Sequence, residues 1–366
     1  MKHKLFYTLL QLIIISMLFL MTGCSKAPSD IPLATGTSLA FDTIISITIY
    51  ENTSGKPLTK EDAELVINQV NSLCAEYENM LSKTIKGSDI DQINHADGQP
   101  VCVHPETFML IKESITYSEK TNGLIDITVS GAKDLWDFST QDENADSTAI
   151  PSDSKIQKAL KHVDYHMIIL DETNYTVTLS DPDAQIDLGF IAKGYIADKI
   201  KKYLIENDIE NAIINLGGNV LTLGQKPSGQ AFIVGIEKPF DKETFIDKIP
   251  VSGRSVVTSG IYERYFKVDD TLYHHIINPR TGYPVNTDLL SATIIADTSM
   301  QADALSTTCI LLGKEKAMEY LKSQPDVSAI LVTNDYDIIK INMIPGSKGH
   351  TFHARMKKYE FGTRKT

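Results

Sequence analysis

Between Asn211 and Leu290 the sequence offers almost no helical periodicity. NAIINL, NVLTL, AFIVGI, SVVTS, RYFKV and LYHHII follow one another as short apolar runs broken by turn residues, the pattern of successive strands. Helical patterns lie on both sides of this block. Residues 58–82 place Leu65, Val66, Val70, Leu73, Tyr77 and Leu81 on one helical stripe, behind Thr59 and Asp62 in near capping-box spacing. A second helix is expected from about Pro105 to Thr121, stopping at Asn122-Gly123. Others are expected near 154–163, from just after Asp187 to about Ile205, from about Ser299, and near 314–323. More strands are expected at 41–50, at ATIIAD, in a hairpin at 166–171 and 175–180, and in a closing hairpin around Asn334-Asp335. Residues 139–154 are polar and read as an exposed loop. Strands and helices neither alternate strictly nor segregate. That predicts an α+β fold, with mixed or antiparallel sheets flanked by helices, and argues against a doubly wound nucleotide fold. No internal repeat is visible.

Basic Lys2 and Lys4 precede an apolar run from Leu5 to Met21, and Thr22-Gly23-Cys24 follows. This reads as a secretion signal, with an uncleaved transmembrane anchor as the alternative. MTGCS resembles a lipobox and favours cleavage with a lipid on Cys24. The expected organisation is a signal at 1–23, a tethered spacer at 24–36, one domain over 37–345 and a tail at 346–366. Both alternatives place the protein outside the cytoplasm, held at a membrane. Losing residues 1–23 moves the formal charge from −12 to −14. With no basic patch in view, nucleic acid is excluded as a partner. Cys74, Cys102 and Cys309 are odd in number and lack CxxC spacing, so neither a disulfide framework nor a zinc site is expected.

The common nucleotide and hydrolase signatures are missing: there is no G-x-x-x-x-G-K-[ST], G-x-G-x-x-G, H-E-x-x-H or G-x-S-x-G. Other stretches carry the functional signal. In IDLGFIAKGYIAD, 186–198, a strand ends at Asp187, Gly189 lets the chain turn, and Lys193 falls in the first turn of a helix. Such a junction attracts anions, and it is equally a plain strand–turn–helix connection. NLGGNV, 215–220, joins two strands through glycines that permit positive φ or the close approach of a ligand. Thr258 and Ser259 in VVTSGIYERY bring hydroxyls to a strand end, for phosphate or for capping. In TSMQADALSTTCILLG, 298–313, Thr298 and Gln301 form a capping box, which leaves Asp303 and Thr307 spare. Spaced i,i+4 on one helix face, they make a partial oxygen cage for a hard cation. The ordinary alternative is an acidic residue near a helix start beside a packed threonine. HHIINPRTGYP, 274–284, has turn chemistry at Asn278-Pro279 and Thr281-Gly282 but needs neither histidine for it. Alternation along a strand turns His274 away from His275.

These stretches, in this order, resemble the ApbE family of FAD:protein FMN transferases over about Leu39 to Lys340. SDIDQIN and TNGLIDITVSGAKDLWDF are supporting matches. The resemblance implies an ApbE-like fold and a Mg²⁺-dependent reaction in which FAD is split, AMP leaves and FMN is joined to a Thr or Ser hydroxyl of a target protein. It also implies an extracytoplasmic redox subunit as the FMN acceptor. By the same resemblance, Asp303, Thr307 and the Phe190 carbonyl hold Mg²⁺, and His275 is the catalytic base. Asp187, Lys193 and the Ile277 backbone contact FAD, and Phe41, Leu124, Ile125 and Asp126 line its pocket. Phe41-Asp42-Thr43, GLID and DLGF depart from the usual Met-Gly-Thr, Gly-Ala-Phe-Asp and Asp-Leu-Gly-Gly. The rival readings are a Mg²⁺-dependent FAD pyrophosphatase and a flavin-binding lipoprotein without turnover.

Overall fold

The structure is a computed structural model that describes residues 29–138, 145–146 and 149–343, together with the backbone of 351–355. The signal segment with Cys24, half of the 139–154 loop and most of the tail lie outside the described residues.

The chain starts with a hairpin of β1 (Ala34–Ala40) and β2 (Thr43–Ile49), followed by α1 (Lys60–Leu81) and α2 (Asp89–Asn94). Thr59 and Asp62 close a full capping box on α1, as their spacing predicts. Next come β3 (Val101–Cys102), α3 (Pro105–Lys120), α4 (Ser130–Lys133) and α5 (Asp153–Ala159). The predicted hairpin of β4 (Ile168–Asp171) and β5 (Thr176–Leu179) pairs with β3 as a small three-stranded sheet. After α6 (Ala192–Glu206) lies the strand-rich block: β6 (Ala212–Leu216), β7 (Asn219–Leu223), β8 (Phe232–Lys238), β9 (Asp241–Val251), β10 (Ser255–Gly260), β11 (Tyr265–Val268) and β12 (Thr271–His274). The chain continues with β13 (Leu289–Ala296), α7 (Ser299–Leu312), α8 (Lys314–Lys322), β14 (Ser328–Thr333), β15 (Asp337–Ile341) and β16 (Thr351–Arg355).

Nine strands form the main sheet in the order β1-β2-β6-β7-β10-β13-β14-β15-β16, and its pairings are antiparallel. This is the α+β layout expected from the sequence. The sheet takes in β16, within the segment read as a tail. On one face lies the main core, built with α1, α6 and α7. Gly36 lets α1 lie against β1, because a Cβ there would come 2.2 Å from Ile67 Cγ2. On the other face the β8–β9 hairpin lays Val234, Ile236, Ile249 and Val251 over Val256, Ile295 and Ile330. Covered on both faces, β13 is buried at all eight positions, which is why LLSATIIA shows no polar alternation.

Several elements have no signal in the sequence, β9 and α2 among them. β9, DKETFIDKIPV, is largely exposed and charged, so its extended form comes from pairing with β8 and not from an apolar stripe of its own. α2 has six residues, too few for a helical period, and is set by the Ser88 side chain accepting from Asp91 N–H.

Candidate active site

The site grows from the place where α6 and α7 start. α6 presents the N–H of Gly194 in its first turn, and Asp303 Oδ2 on α7 accepts it at 2.8 Å. In return Asp198 of α6 accepts the N–H groups of Ser299 (2.8 Å) and Met300 (2.9 Å) at the start of α7. Each helix therefore caps the other with a carboxylate. This corrects the expected cap of α7: the Thr298 hydroxyl accepts from Gln301 N–H at 3.4 Å, and Asp198 provides the rest. Asp198 lies inside a motif that the sequence flagged, but without a role.

The exchange has a consequence for the chain just before α6. A carbonyl at position 190 would ordinarily accept from the N–H four residues on, which here goes to Asp303. Among the described residues the Phe190 carbonyl therefore has no backbone hydrogen bond. The Phe190 ring packs edge-on against Tyr117 with centroids 6.0 Å apart. Asp303 is 4% exposed, burial raises its carboxyl above the usual range, and Lys193 opposes that rise. No hydrogen bond to its Oδ1 is found among the described residues. One turn along, Thr307 Oγ1 lies 3.1 Å from Ser259 Oγ, which also meets Ser306 Oγ at 2.7 Å. A buried carboxylate, a free carbonyl and a hydroxyl at one helix junction form a donor set that suits a hard cation.

The close approach of α6 and α7 depends on Gly194. A Cβ there would meet Ser299 O at 2.3 Å and Met300 Cα at 2.7 Å, both backbone atoms, and Asp303 Cβ at 2.7 Å. Overpacking of this kind costs about 1–3 kcal/mol and more where backbone must move. Gly194→Ala is expected to lower stability by at least about 3 kcal/mol, read as a shifted urea midpoint. A midpoint equal to wild type would show that the two helices are not held together here.

Asp187 is tied to the 126–128 loop by its N–H to Ile127 O (3.0 Å), and its Oδ1 accepts from Gly189 N–H (2.9 Å). Lys133 donates to its Oδ2 at 2.9 Å, and Lys83 stands 3.9 Å from the same oxygen. Burial works against ionising this carboxyl, but the charges of Lys133 and Lys83 overcome it and hold the group well below the carboxylate range. Lys83 is itself held by Ser130 Oγ (3.1 Å) and Asp134. Neither lysine was anticipated, because positions 83 and 133 are far from 187 in sequence and no spacing connects them.

The two histidines have separate tasks. His274 is 4% exposed, and its Nε2–H donates to Val285 O at 3.1 Å while Nδ1 accepts from Ile276 N–H at 3.3 Å. Both ring nitrogens are used inside the fold, and burial lowers its pKa to about 4. His275 is half-buried, and its Nδ1 lies 3.2 Å from Arg264 O. A carbonyl can only accept, so Nδ1 bears the proton and Nε2 keeps its lone pair. Burial first, then the charge of Lys133, lowers the His275 pKa to about 3. The charge of Lys133 acts on both Asp187 and His275, and that of Lys193 acts on Asp303.

The turn that carries His275 is closed by Gly282 N–H to Asn278 O (2.8 Å) and Arg280 N–H to Asn278 Oδ1 (2.9 Å). Arg280 donates to Asn122 O at 2.8 Å and is a strut to the 121–128 loop. Trp136 supports the turn by donating Nε1–H to Gly282 O at 2.9 Å, within a satellite core of Ile156, Phe266, Val268 and Ile277. Ile277 buries its side chain there, while its own N–H and C=O make no backbone hydrogen bond among the described residues.

The four residues expected to line a flavin pocket behave differently. Phe41 occupies the β1–β2 turn at φ 55°, beside Asp42 at φ 54°, and its N–H donates to Glu78 Oε1 at 2.6 Å. Leu124 is half-buried, and Ile125 is wholly inside the main core. Asp126 accepts from Thr128 N–H (2.8 Å), Thr128 Oγ1 (2.6 Å) and Tyr165 N–H (2.9 Å), so it shapes its own loop. The glycines of NLGGNV make a two-residue turn, with φ 63° at Gly217 and 92° at Gly218. Asn219 Oδ1, next in line, accepts from Ser299 Oγ at 2.5 Å and ties this turn to the start of α7.

A cleft of about 450 Å³ is lined by Thr128, Gly131, Leu135, His162, Asp183 and Gln185 among others, and none of the expected site residues lines it. His162, Asp181 and Asp183 could hold a cation by spacing, and His162 Nδ1 is already bonded to Asp181 at 2.7 Å. Cys74 and Cys309 are buried, and burial pushes their thiols up to about 12, the opposite of activation.

A model of the ApbE family matches residues 41–331 of this chain. The chain belongs to the ApbE family. A protein of Klebsiella pneumoniae named FAD:protein FMN transferase is 37% identical over 75% of this chain and 84% of its own length. One of the same name from Treponema pallidum is 33% identical over 81% and 83%. The crystal structure of the ApbE protein of Thermotoga maritima superposes with a TM-score of 0.74 at 30% identity, covering 84% of this chain and 96% of that one. The activity in those names is a transfer, and this ApbE-family chain is an enzyme of the transferase class.

Proposed function

We propose that the chain is an FAD:protein FMN transferase that uses FAD as substrate, releases AMP and joins FMN to a Thr or Ser hydroxyl of an extracytoplasmic redox subunit. The observation that carries this reading is the diverted Gly194 N–H, which leaves the Phe190 carbonyl without a backbone partner among the described residues and binds its helix to Asp303, one turn before Thr307. Phe190, Asp303 and Thr307 are the residues that would hold Mg²⁺, which when bound offsets the charge of the pyrophosphate. His275 takes the proton of the incoming hydroxyl on Nε2, the nitrogen that its bond to Arg264 O leaves unprotonated. The hydroxyl oxygen forms the new P–O bond to the flavin-side phosphorus as the pyrophosphate bond breaks, and AMP carries away the bridging oxygen. Lys193, in the first turn of α6, and the unpaired backbone of Ile277 hold the dinucleotide.

Incubation of the purified protein with FAD, Mg²⁺ and an acceptor domain is expected to add one FMN phosphoryl unit to the acceptor, read by mass, with an equal amount of AMP. Free FMN and AMP without a mass gain would replace the transferase with a pyrophosphatase. FAD binding without AMP would leave a carrier. The reading also places the protein at the outer face of a cell membrane through lipid on Cys24. A lipid adduct on Cys24 in the mass spectrum of the mature chain checks that location, and an unmodified Cys24 in the mature protein removes it.

A further inference from the structure

Lys133 has more donor capacity than the fold uses. Its ammonium carries three N–H groups, and among the described residues it makes one hydrogen bond, to Asp187 Oδ2 at 2.9 Å. Its side chain is 32% exposed, at the end of the short α4. Lys83, by contrast, has partners in Ser130 and Asp134 besides its approach to Asp187. One carboxylate oxygen thus serves two ammonium groups, while Asp134 also favours the charge on Lys133 and Arg264 opposes it. A lysine kept only as a strut for Asp187 needs neither the exposure nor the spare donors. A cation oriented by one hydrogen bond, with two further N–H donors and access to solvent, can receive an anion.

We propose that Lys133 is a substrate-binding residue of this site, that its two undonated N–H groups grip the phosphate on the flavin side of the dinucleotide, and that Asp187 and Lys83 aim it. The inference rests on the transferase reading for the identity of the dinucleotide. The ligand chemistry it requires is a phosphate ester, not an isoalloxazine ring.

The test is equilibrium binding on the full-length mature chain, read by flavin fluorescence, with FAD, FMN and riboflavin as probes. Lys133→Met is expected to weaken FAD and FMN by at least about tenfold, as loss of a charge-assisted hydrogen bond does, and to change riboflavin by less than about twofold. Lys133→Arg is expected to recover most of the loss, and the salt dependence of FAD binding should flatten in the Met variant. Equal weakening of all three flavins would reduce Lys133 to a support for Asp187 and overturn the proposal. So would unchanged FAD affinity. Should Lys133→Met melt early, the Arg variant decides alone: FAD bound more than about tenfold worse than wild type, with riboflavin equally affected, again overturns it. No turnover is involved, so a wild type that binds phosphate-bearing flavins selectively yet never modifies an acceptor defeats the transferase reading only. A wild type that binds neither FAD nor FMN defeats both.

Discussion

Asp303→Asn is expected to lower FAD turnover by about 10³-fold or more while leaving the protein folded. The substitution keeps an oxygen for the Gly194 N–H, which Asp303 accepts at 2.8 Å, so the contact between α6 and α7 survives. What it removes is the negative charge at a position 4% exposed, where a divalent cation gives the best reason to keep a buried carboxylate ionised. Asp303→Ala is a less clean probe, because it also leaves a buried N–H without a partner, at about 1–3 kcal/mol. Burial raises the Asp303 carboxyl, so without metal the folded state binds its proton more tightly than the unfolded chain does. Its contribution to stability is then present at low pH and lost as pH rises through the raised value. Mg²⁺ should accordingly raise the melting temperature of the wild type more at pH 8 than at pH 4, and should do neither in the Asn variant. AMP release measured beside Mg²⁺ titration calorimetry checks both halves. An Asn variant with wild-type turnover would remove Asp303 from the metal site, and with it the reason for the free Phe190 carbonyl.

The parts of this molecule that were legible in the sequence are those fixed by neighbours along the chain. Thr59 with Asp62, the stop at Asn122-Gly123 and the glycine turn at 217–218 each declare themselves within four residues, and each is found. The separation of His274 from His275 was likewise legible, since it follows from alternation along a strand. Features made by contacts across the chain were hidden. Asp198 caps a helix 101 residues away, and Lys133 reaches Asp187 across 54. Trp136 holds the Gly282 carbonyl 146 residues on. Asp126 belongs with them in part: its oxygens accept from Thr128, two residues on, and from Tyr165, 39 residues away.

His275→Ala is expected to slow transfer by roughly 10²–10⁴-fold, the usual contribution of a positioned general base, with little effect on FAD affinity. Truncation removes the ring nitrogen of this pair whose lone pair the fold does not use, since the His275 Nδ1 proton goes to Arg264 O and both nitrogens of His274 are bonded within the fold. The pH profile separates this role from a structural one. Burial and the Lys133 charge hold the His275 pKa near about 3, so the imidazole of the free enzyme is neutral across the physiological range. kcat/KM should therefore show no acid limb near 6.5 from this residue. Lys133→Met, by removing a nearby positive charge, should move the His275 pKa upward and carry any acid limb with it. On the stability side the sign is the reverse of the ordinary ion-paired histidine. The unfolded chain binds a proton at about 6.5 that the folded protein refuses until about 3. Stability therefore falls as pH drops through that window, and His275→Ala should remove part of the fall. A variant with near wild-type transfer would leave the turn intact as architecture and require another base for the hydroxyl proton.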